Sequence, residues 1–364
     1  MRVLHVLGEL RASGGEVMLR DAVEALSEQG IETVVLSTGD RLGDFASEYH
    51  RLGVRTLHLP FKRNGSFAVC FWRLTRTANV DVVHVHTERA NAVLGLASRL
   101  AGKRVVRTVH NVFSYSGRLR LIRMLERAVL RAIGVRHVSI GPAVELNERE
   151  RLRNTTVRVD NWISPRFRPP MENERGEARR RYNLDPTAIA VTTIGNCSRV
   201  KNHLSLLEAL PGVACKLNRP IVYLHAGSGA AEPEERALAN TVLPTSVEAR
   251  FLGTVADVRP LLWASDVYCM PSLYEGVPIA ALEALACGIP AVLADVAGLR
   301  DVHPPAASVR FVEPSSTGVA SAIVALMMDI EAVSRATSTV ASAIRSQRDM
   351  KKQVRALVGA YRSR

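Results

Sequence analysis

The sequence has few cysteines and few aromatic residues. Its five cysteines are scattered along the chain, with no Cys-x-x-Cys pair and no local Cys/His cluster. A structural zinc site is therefore not expected from the spacing. Unpaired thiols favour a reducing compartment, so we predict a cytoplasmic protein. Aromatic residues make up only 5% of the chain, which argues against a nucleic-acid surface with interleaved aromatics.

Long apolar runs are also missing. No uncharged apolar stretch reaches the roughly 18 residues that a spanning helix needs, so we expect no transmembrane segment. The apolar run within residues 1–9 is short and is soon interrupted by charged residues, so it does not match the core of a signal peptide. The apolar segment 278–299 contains charged residues, glycine and proline, and it is predicted to be a helix followed by a strand.

The chain has fewer acidic than basic residues. The chain has 48 Lys and Arg against 35 Asp and Glu, a formal net charge of +13. A basic surface attracts nucleic acid, anionic lipid or phosphorylated small molecules, and charge alone does not choose among them.

Short β-branched runs alternate with helical patterns through most of the chain, which predicts parallel sheets covered by helices. Strands are predicted at 2–7, 33–37, 54–58, 82–86, 105–110, 137–140, 188–194, 221–226, 250–252, 267–271 and 291–294. Helices are predicted at 16–29, 91–100, 119–132, 202–210, 279–287 and through much of 315–364.

A proline-rich and then charged stretch at 165–181 interrupts this rhythm and is predicted to be a linker or domain edge. We therefore predict two tandem, doubly wound, Rossmann-like α/β domains facing a cleft, at 1–165 and 166–345. Residues 346–364 are predicted to form a C-terminal helix that packs back on the first domain.

Two glutamates lie around a predicted helix start. Glu275 falls in the loop before the helix and Glu283 falls inside it, with Pro278 at the first turn. Spacing alone leaves two readings equally open: a solvated glutamate with a capping glutamate, or two carboxylates that reach one ligand. The N–H groups of Gly276, Val277, Ile279 and Ala280 could bind its hydroxyl or phosphate oxygens.

Three further loops follow predicted strands and carry polar or glycine-rich sequence. The segment 195–203 contains Arg199 and Lys201 before a helix, Gly14-Gly15 follows the first strand, and His110 ends the strand at 105–110. Cations and helix N-termini suit phosphate oxygens. Each signal is weak by itself, because surface cations, tight turns and single histidines are common.

The pattern Glu275-Gly-x-Pro followed by Glu283-Ala-x-Ala-x-Gly-x-Pro resembles the signature of the family-four retaining glycosyltransferases, which have the GT-B architecture. The resemblance implies that Glu275 contacts the donor-sugar hydroxyls and that Glu283 accepts hydrogen bonds from the ribose hydroxyls. It implies no cofactor and no metal, only a nucleotide-sugar co-substrate, with a UDP-sugar favoured over a GDP-sugar.

The same resemblance extends to the other loops. Lys201 matches the family's phosphate-binding lysine, but Asn196 stands where the family has an arginine, so either Arg199 supplies that charge or Asn196 donates a neutral hydrogen bond. Gly14-Gly15 matches the family's glycine loop, which approaches the diphosphate across the cleft. His110 matches the family's histidine, which lies near the donor sugar.

The candidate site residues fall into three groups. Catalytic roles are assigned to His110, Glu275 and Lys201. Donor-binding roles are assigned to Gly14, Gly15, Gly195, Asn196, Arg199, Lys201, Leu252, Gly276, Val277, Ile279 and Glu283. Acceptor-side roles are assigned to Glu88, Arg89 and Asn111. His84 and His86 lie near this acceptor loop. Because these two histidines and His110 come from different strands without consistent ligand spacing, no metal site is predicted.

An arginine-rich amphipathic helix is predicted within the region 118–136, where Arg120, Arg123, Arg127 and Arg131 have helical spacing. It is either a solvated face or a face toward an anionic membrane or a lipid-diphosphate acceptor. The predicted function is retaining transfer of a sugar from a nucleotide sugar to a glycan, lipid-linked or small-molecule acceptor. The alternatives are a nucleotide-sugar epimerase or phosphorylase of the same fold, or a basic nucleic-acid-binding protein.

Overall fold

The computed structural model describes residues 1–363. The chain divides into two compact units: unit 1 comprises Met1–Ser164 and the segment from Met350 on, and unit 2 comprises Pro165–Asp349. Each unit is built around one sheet in which all named strands pair in parallel.

Unit 1 has seven strands and six helices before its C-terminal segment. The strands are β1 (Arg2–Leu7), β2 (Glu32–Ser37), β3 (Arg55–His58), β4 (Val82–Val85), β5 (Arg104–Val109), β6 (Val135–Ser139) and β7 (Val157–Arg158). The helices are α1 (Gly14–Glu28), α2 (Ala46–Arg51), α3 (Gly65–Thr77), α4 (Asn91–Leu100), α5 (Gly117–Ala132) and α6 (Pro142–Arg151). The strand order is β3-β2-β1-β4-β5-β6-β7.

Unit 2 repeats the plan with six strands. These are β8 (Ile189–Ile194), β9 (Ile221–Ala226), β10 (Val247–Phe251), β11 (Val267–Met270), β12 (Ala291–Ala294) and β13 (Val309–Val312). Its helices are α7 (Glu174–Arg181), α8 (His203–Leu217), α9 (Glu232–Val242), α10 (Arg259–Ala264), α11 (Ile279–Ala286), α12 (Ala297–Arg300), α13 (Ser316–Met328) and α14 (Ile330–Gln347). The strand order is β10-β9-β8-β11-β12-β13.

The inner strands of both sheets are buried on their two faces, as expected for continuous β-branched strands in parallel sheets. In unit 2, Val191, Tyr223 and Val267 from three strands are fully buried with Leu207 and Leu210 of α8. The last helix, α15 (Met350–Arg362), belongs to unit 1 and contacts α1 and β5. The predicted α/β fold class, with two doubly wound parallel sheets, is confirmed.

The segment 165–181 was predicted to be a linker or domain edge. The boundary between the units lies at its start, between Ser164 and Pro165, and its charged part is a helix of unit 2 rather than a linker. Residues Glu174–Arg181 form α7, which packs against α10 in unit 2. Arg175 and Arg179 each bond to one carboxylate oxygen of Asp266, at 2.6 and 3.0 Å. A charged sequence with almost no apolar periodicity gives no helical signal, and the helix is held by these ion pairs.

Within residues 1–363, no single helix is long and apolar enough to span a bilayer. The pair α13 and α14 reaches that length and composition only in combination, with a bend of 97° between them.

The basic helix α5 does not expose all four of the arginines that were predicted to share one solvated or membrane-facing side. Arg127 is only 1% exposed and binds the buried Glu148. Its Nε lies 2.8 Å from Glu148 Oε2, and its Nη2 lies 3.3 Å from Glu88 Oε1. The face that α5 exposes is largely apolar, with Leu121, Ile122, Leu125 and Val129 among the exposed side chains.

Replacing Arg127 by Met should destabilise unit 1, because it leaves the Glu148 carboxylate buried with fewer donors. Removing one partner of a buried ion pair typically costs about 3–5 kcal/mol. Thermal melting followed by circular dichroism measures the loss. Arg118, which is exposed on the same helix, gives the control: Arg118→Met should stay within about 0.5 kcal/mol of the parent protein. Equal melting temperatures for both variants would contradict the buried pair.

Candidate functional site

The predicted donor-binding residues of unit 2 gather where the strand order of the sheet reverses. β8 and β11 are neighbours in the sheet, and the chain leaves them toward helices on opposite sides. In open parallel sheets, ligands bind beyond the carboxyl ends of strands at such a switch point. We call residues 195–202, which follow β8, the phosphate loop, and residues 271–278, which follow β11, the glutamate loop.

An ion pair joins the two loops. Lys201 Nζ donates to Glu275 Oε1 at 2.5 Å, and the two side chains are 20% and 11% exposed. The pair is therefore desolvated enough to be ordered and open enough to exchange partners with a ligand. A phosphate could take the lysine while sugar hydroxyls donate to the carboxylate.

Backbone and amide bonds hold the two loops in this register. Leu273 N–H donates to Val200 O at 2.8 Å. Asn202 adopts the left-handed conformation with φ of 55°. Its amide Nδ2 donates to Pro271 O at 3.1 Å and to Pro314 O at 2.9 Å. Asparagine tolerates this backbone region better than most residues and bonds locally, so Asn202 fixes where Lys201 points.

Asn202 was given no role from the sequence, although an Asn between a short loop and a helix start could have indicated a loop-fixing residue.

The two candidates for the missing family arginine both lie on the surface of the phosphate loop. Asn196 and Arg199 are exposed, and Arg199 begins a 3₁₀ turn that also contains Lys201.

The glutamate loop leads into α11 through Pro278, which has an extended backbone with ψ of 126°. Val277 and Ile279 are buried, and the first-turn N–H groups of α11 have no acceptor one turn earlier within the helix. Glu283 lies inside α11 and is 6% exposed. Its carboxylate is therefore built into the protein rather than freely solvated.

A close backbone approach supports the glutamate loop from behind. A Cβ atom at Gly298, in α12, would lie 1.7 Å from Gly276 O and 2.3 Å from Glu275 O. Only glycine fits there, so the backbone of α12 lies directly against the loop that carries Glu275 and limits its position.

The segment around Leu252 lies at the carboxyl end of β10. Leu252 N–H donates to His225 O at 2.8 Å, and Gly227 N–H donates to Gly253 O at 2.8 Å. Gly253 has φ of 64°, a region that glycine enters without cost. These bonds order a partly buried apolar side chain at the same sheet edge as the phosphate loop.

In unit 1, Gly14 and Gly15 form the first turn of α1, which begins two residues earlier than predicted. No atom lies within 4 Å of a Cβ built on Gly15, so this turn faces open space. The side chain of Ser13 donates to the buried Glu16 carboxylate rather than capping the helix, so an anion would be bound by the N–H groups of Gly14 and Gly15.

His110 lies at the carboxyl end of β5 in a row of histidines. Its Nε2 is 3.0 Å from His86 Nδ1, and His86 Nε2 is 3.1 Å from His5 Nδ1. Burial lowers the pKa of His110 to about 4, so its imidazole is neutral near pH 7. A neutral ring at this place accepts or donates hydrogen bonds without adding charge.

The sequence argument that different strands separate the histidines is wrong. The strands β1, β4 and β5 are neighbours, and ligand atoms of His5, His84 and His86 lie within 4.8 Å of one another. Both nitrogens of His84 are engaged, with Tyr361 Oη and Thr108 Oγ1 at 2.7 Å each. This row is therefore organised by hydrogen bonds between its own members and their neighbours.

The three acceptor-side candidates have local partners. Glu88 accepts hydrogen bonds from Arg107 and Arg127, and from Tyr115 Oη at 3.0 Å. Burial opposes ionisation of Glu88, but the two arginines outweigh it and hold its pKa below the usual range. Arg89 lies 5.6 Å from the centre of the Phe61 ring, and Asn111 Oδ1 accepts from Val112 N–H at 2.8 Å.

Two family models match the chain, one in each unit. Residues 12–160 match the model described as Glycosyltransferase Family 4, and residues 188–329 match the model described as Glycosyl transferases group 1. Together these matches span most of both sheets and every loop of the candidate site.

Curated relatives agree with the family models. The chain is 26% identical over 307 residues to the putative glycosyltransferase EpsF of Bacillus subtilis, covering 81% of this chain and 79% of that protein. It is 24% identical over 240 residues to the UDP-Gal:alpha-D-GlcNAc-diphosphoundecaprenol alpha-1,3-galactosyltransferase of Escherichia coli, covering 63% of this chain and 62% of that protein.

Among solved structures, Anabaena Alr3699/HepE in complex with UDP and glucose matches over 100% of both chains, with a TM-score of 0.85 and 16% identity. At that identity the likeness concerns the fold, which is the two-sheet fold described above. Taken with the family models, it shows that the chain is a glycosyltransferase of the family-four type with the GT-B fold.

Proposed function

We propose that the chain is a retaining, metal-independent hexosyltransferase that takes its sugar from a nucleotide-sugar donor, with a UDP-sugar as the preferred donor. The observation that carries the proposal is the Lys201–Glu275 ion pair at the switch point of the unit 2 sheet. It places one cation and one carboxylate side by side, as a diphosphate bonded to a sugar requires.

Each donor group has a counterpart in unit 2. Lys201 and the first-turn N–H groups of α11 stabilise the charge that grows on the diphosphate as the glycosidic bond breaks. Glu275 accepts hydrogen bonds from the sugar hydroxyls, and Glu283 accepts them from the ribose. Leu252 and its ordered segment cover the base. In the free protein, Lys201 and Glu275 neutralise each other until the donor separates them.

The acceptor is assigned to the strand ends of unit 1, near His110, Glu88, Arg89 and Asn111. A glycan or lipid-linked acceptor is favoured. The E. coli relative is named for UDP-Gal and a diphosphoundecaprenol-linked acceptor, and the HepE structure contains UDP and glucose. A neutral His110 suits contact with uncharged sugar hydroxyls.

A donor screen tests the reaction class. Thermal shift and donor turnover are measured with UDP-, GDP- and ADP-sugars, with and without acceptor and with brief exposure to EDTA, and the anomeric configuration of the product is read by NMR. Retention, a preference for UDP-sugars and turnover in EDTA are expected. An inverted product, conversion of the donor without acceptor, or activity that needs added divalent cation would each overturn the corresponding part.

Lys201→Ala should lower turnover roughly a hundredfold or more, as removal of an oxyanion donor does in other enzymes. A loss of roughly the same size is expected for Glu275→Ala, because the sugar hydroxyls lose the acceptor that positions them. The measurement is kcat for release of the nucleoside diphosphate. Lys216 of α8 and Glu331 of α14 are exposed residues of the same unit that lie outside both loops, so Lys216→Ala and Glu331→Ala serve as controls with near-parental kcat. Near-normal turnover in both loop variants would defeat the site assignment.

We assign the missing arginine charge of the phosphate loop to Arg199, because it shares the 3₁₀ turn with Lys201 whereas Asn196 carries no charge. Arg199→Ala should raise the donor KM or lower kcat about tenfold or more, since a charge-assisted bond contributes roughly 1.5–3 kcal/mol. Asn196→Ala should change either constant less. The opposite ranking of the two variants would show that Asn196 makes the important contact.

Unit 1 is further proposed to contact an anionic membrane through α4 and α5. Leu96 and Leu100 of α4 are exposed, as are Leu121, Ile122 and Leu125 of α5, and these two helices pack together. We call these five side chains the apolar patch. The exposed Arg118 lies on the same helix, and the chain's net charge of +13 favours an anionic surface. An apolar stripe beside arginines is typical of interfacial helices.

The double variant Leu121→Asp/Leu125→Asp should lose most binding to vesicles that contain phosphatidylglycerol, because charge on the patch opposes burial in the lipid interface. Sedimentation with vesicles measures the bound fraction, and phosphatidylcholine vesicles should bind less of the parent protein. Leu146, an exposed leucine of α6, provides the control substitution Leu146→Asp. Absence of anionic-vesicle binding by the parent, or undiminished binding by the double variant, would refute this contact.

A further inference from the structure

A cluster of four potential metal ligands lies in the interior of unit 2, behind the phosphate loop. It consists of Cys197 in that loop, His203 at the start of α8, His225 in β9 and Glu235 in α9. Their exposed fractions are 1%, 2%, 0% and 1%. One ligand atom from each residue lies within 4.8 Å of the ligand atoms of the other three.

The spacings approach those of a tetrahedral site. His203 Nδ1 lies 3.1 Å from Glu235 Oε1, and His225 Nδ1 lies 3.5 Å from Glu235 Oε2. Cys197 Sγ lies beside the same imidazole ring, 3.9 Å from its other nitrogen, Nε2. Zinc bonds of about 2.0–2.3 Å place tetrahedral ligands about 3.3–3.7 Å apart. Small side-chain rotations would therefore close the four groups around one ion.

Two of these atoms are buried acceptors that face each other. His225 Nε2 lies 3.1 Å from Gly195 O, so it carries the proton and donates, which leaves Nδ1 as a lone pair. Among the described residues, neither His225 Nδ1 nor Glu235 Oε2 has a hydrogen-bond partner.

An unmet buried acceptor costs about 1–3 kcal/mol, and more for a charged group. The thiol of Cys197 also faces Glu235, but a thiol is a weak donor. No described lysine or arginine forms an ion pair with this carboxylate; its ion-pair partners in the described chain are His203 and His225. A cation between the facing acceptors would satisfy both.

The donor set specifies the kind of cation. One thiolate and two imidazoles with a carboxylate suit zinc, whereas magnesium and calcium prefer oxygen ligands alone. A thiolate and a carboxylate also cancel the two positive charges, so the complete site is neutral and can be buried. The bond from His225 Nε2 to Gly195 O is the outer-shell contact that orients a ligating histidine.

We propose that Cys197, His203, His225 and Glu235 bind a structural zinc ion that fastens the phosphate loop to the body of unit 2. Four protein ligands leave no open position, so the ion takes no direct part in sugar transfer. The proposal rests on the cluster alone and stands or falls separately from the proposed function.

The backbone around the cluster already holds the phosphate loop against the segment that follows β9. A Cβ at Gly227 would lie 1.8 Å from Gly195 O, and one at Gly229 would lie 2.4 Å from Cys197 O. Cys197 N–H donates to Ser228 O at 3.2 Å, and Ala231 N–H donates to Cys197 O at 3.1 Å. The segment after β9 therefore lies directly on the phosphate loop, and a zinc ion would join the same segments through side chains.

The test measures metal content and coordination in the full-length chain. Protein purified without chelators is analysed by plasma mass spectrometry, and about one zinc ion per chain is expected. Replacement by cobalt should give the intense visible bands of a tetrahedral site and a thiolate-to-cobalt charge-transfer band. Prolonged chelation under mildly destabilising conditions should lower the melting temperature, whereas brief EDTA exposure should not remove a closed, buried ion.

Cys197→Ser and Glu235→Gln keep the size of each side chain and should each reduce bound zinc at least fivefold. Cys287→Ser is the matched control, because Cys287 is equally buried in unit 2 outside the cluster, and it should retain zinc. Circular dichroism confirms that each variant is folded. Parent protein that stays metal-free after incubation with zinc and cobalt, or folded Cys197→Ser and Glu235→Gln variants that both retain zinc, would overturn the proposal.

Discussion

The Lys201–Glu275 ion pair depends on parallel pairing of β8 with β11. Parallel strands end at the same edge of a sheet, so two loops that are 74 residues apart in sequence meet there with Lys201 Nζ 2.5 Å from Glu275 Oε1. The switch point between these strands opens the space into which both loops project.

The supporting contacts of the pair are made by backbone and by small residues. Asn202 ties the phosphate loop to Pro271 and Pro314, and Gly298 lets α12 approach the glutamate loop closely. Behind the phosphate loop, Gly227 and Gly229 allow the same close approach from β9. Rigid support of this kind keeps catalytic charges at fixed places, which is how preorganised sites stabilise a developing charge.

The arginines show why composition gives a poor account of surface. Their number predicted a basic face on α5, but Arg127 and Arg107 are both 1% exposed and share the Glu88 carboxylate. Leu121 and Leu125 of the same helix are exposed instead. Helical spacing defines faces, but it does not state which face packs against the sheet, and the acidic partners come from other elements.

The sequence by itself determined the alternation of strands and helices, the two doubly wound sheets and the loops that carry Lys201, Glu275 and His110, although it missed the short edge strands β7 and β13. Those features follow from local patterns: β-branched runs, helix starts and glycine turns each act over a few residues. Only the tertiary structure decided which distant residues meet. It paired Lys201 with Glu275, aligned His5, His86 and His110 on adjacent strands, and assembled a Cys/His/Glu cluster from residues up to 38 positions apart. These contacts arise from strand order and register, which no local spacing encodes.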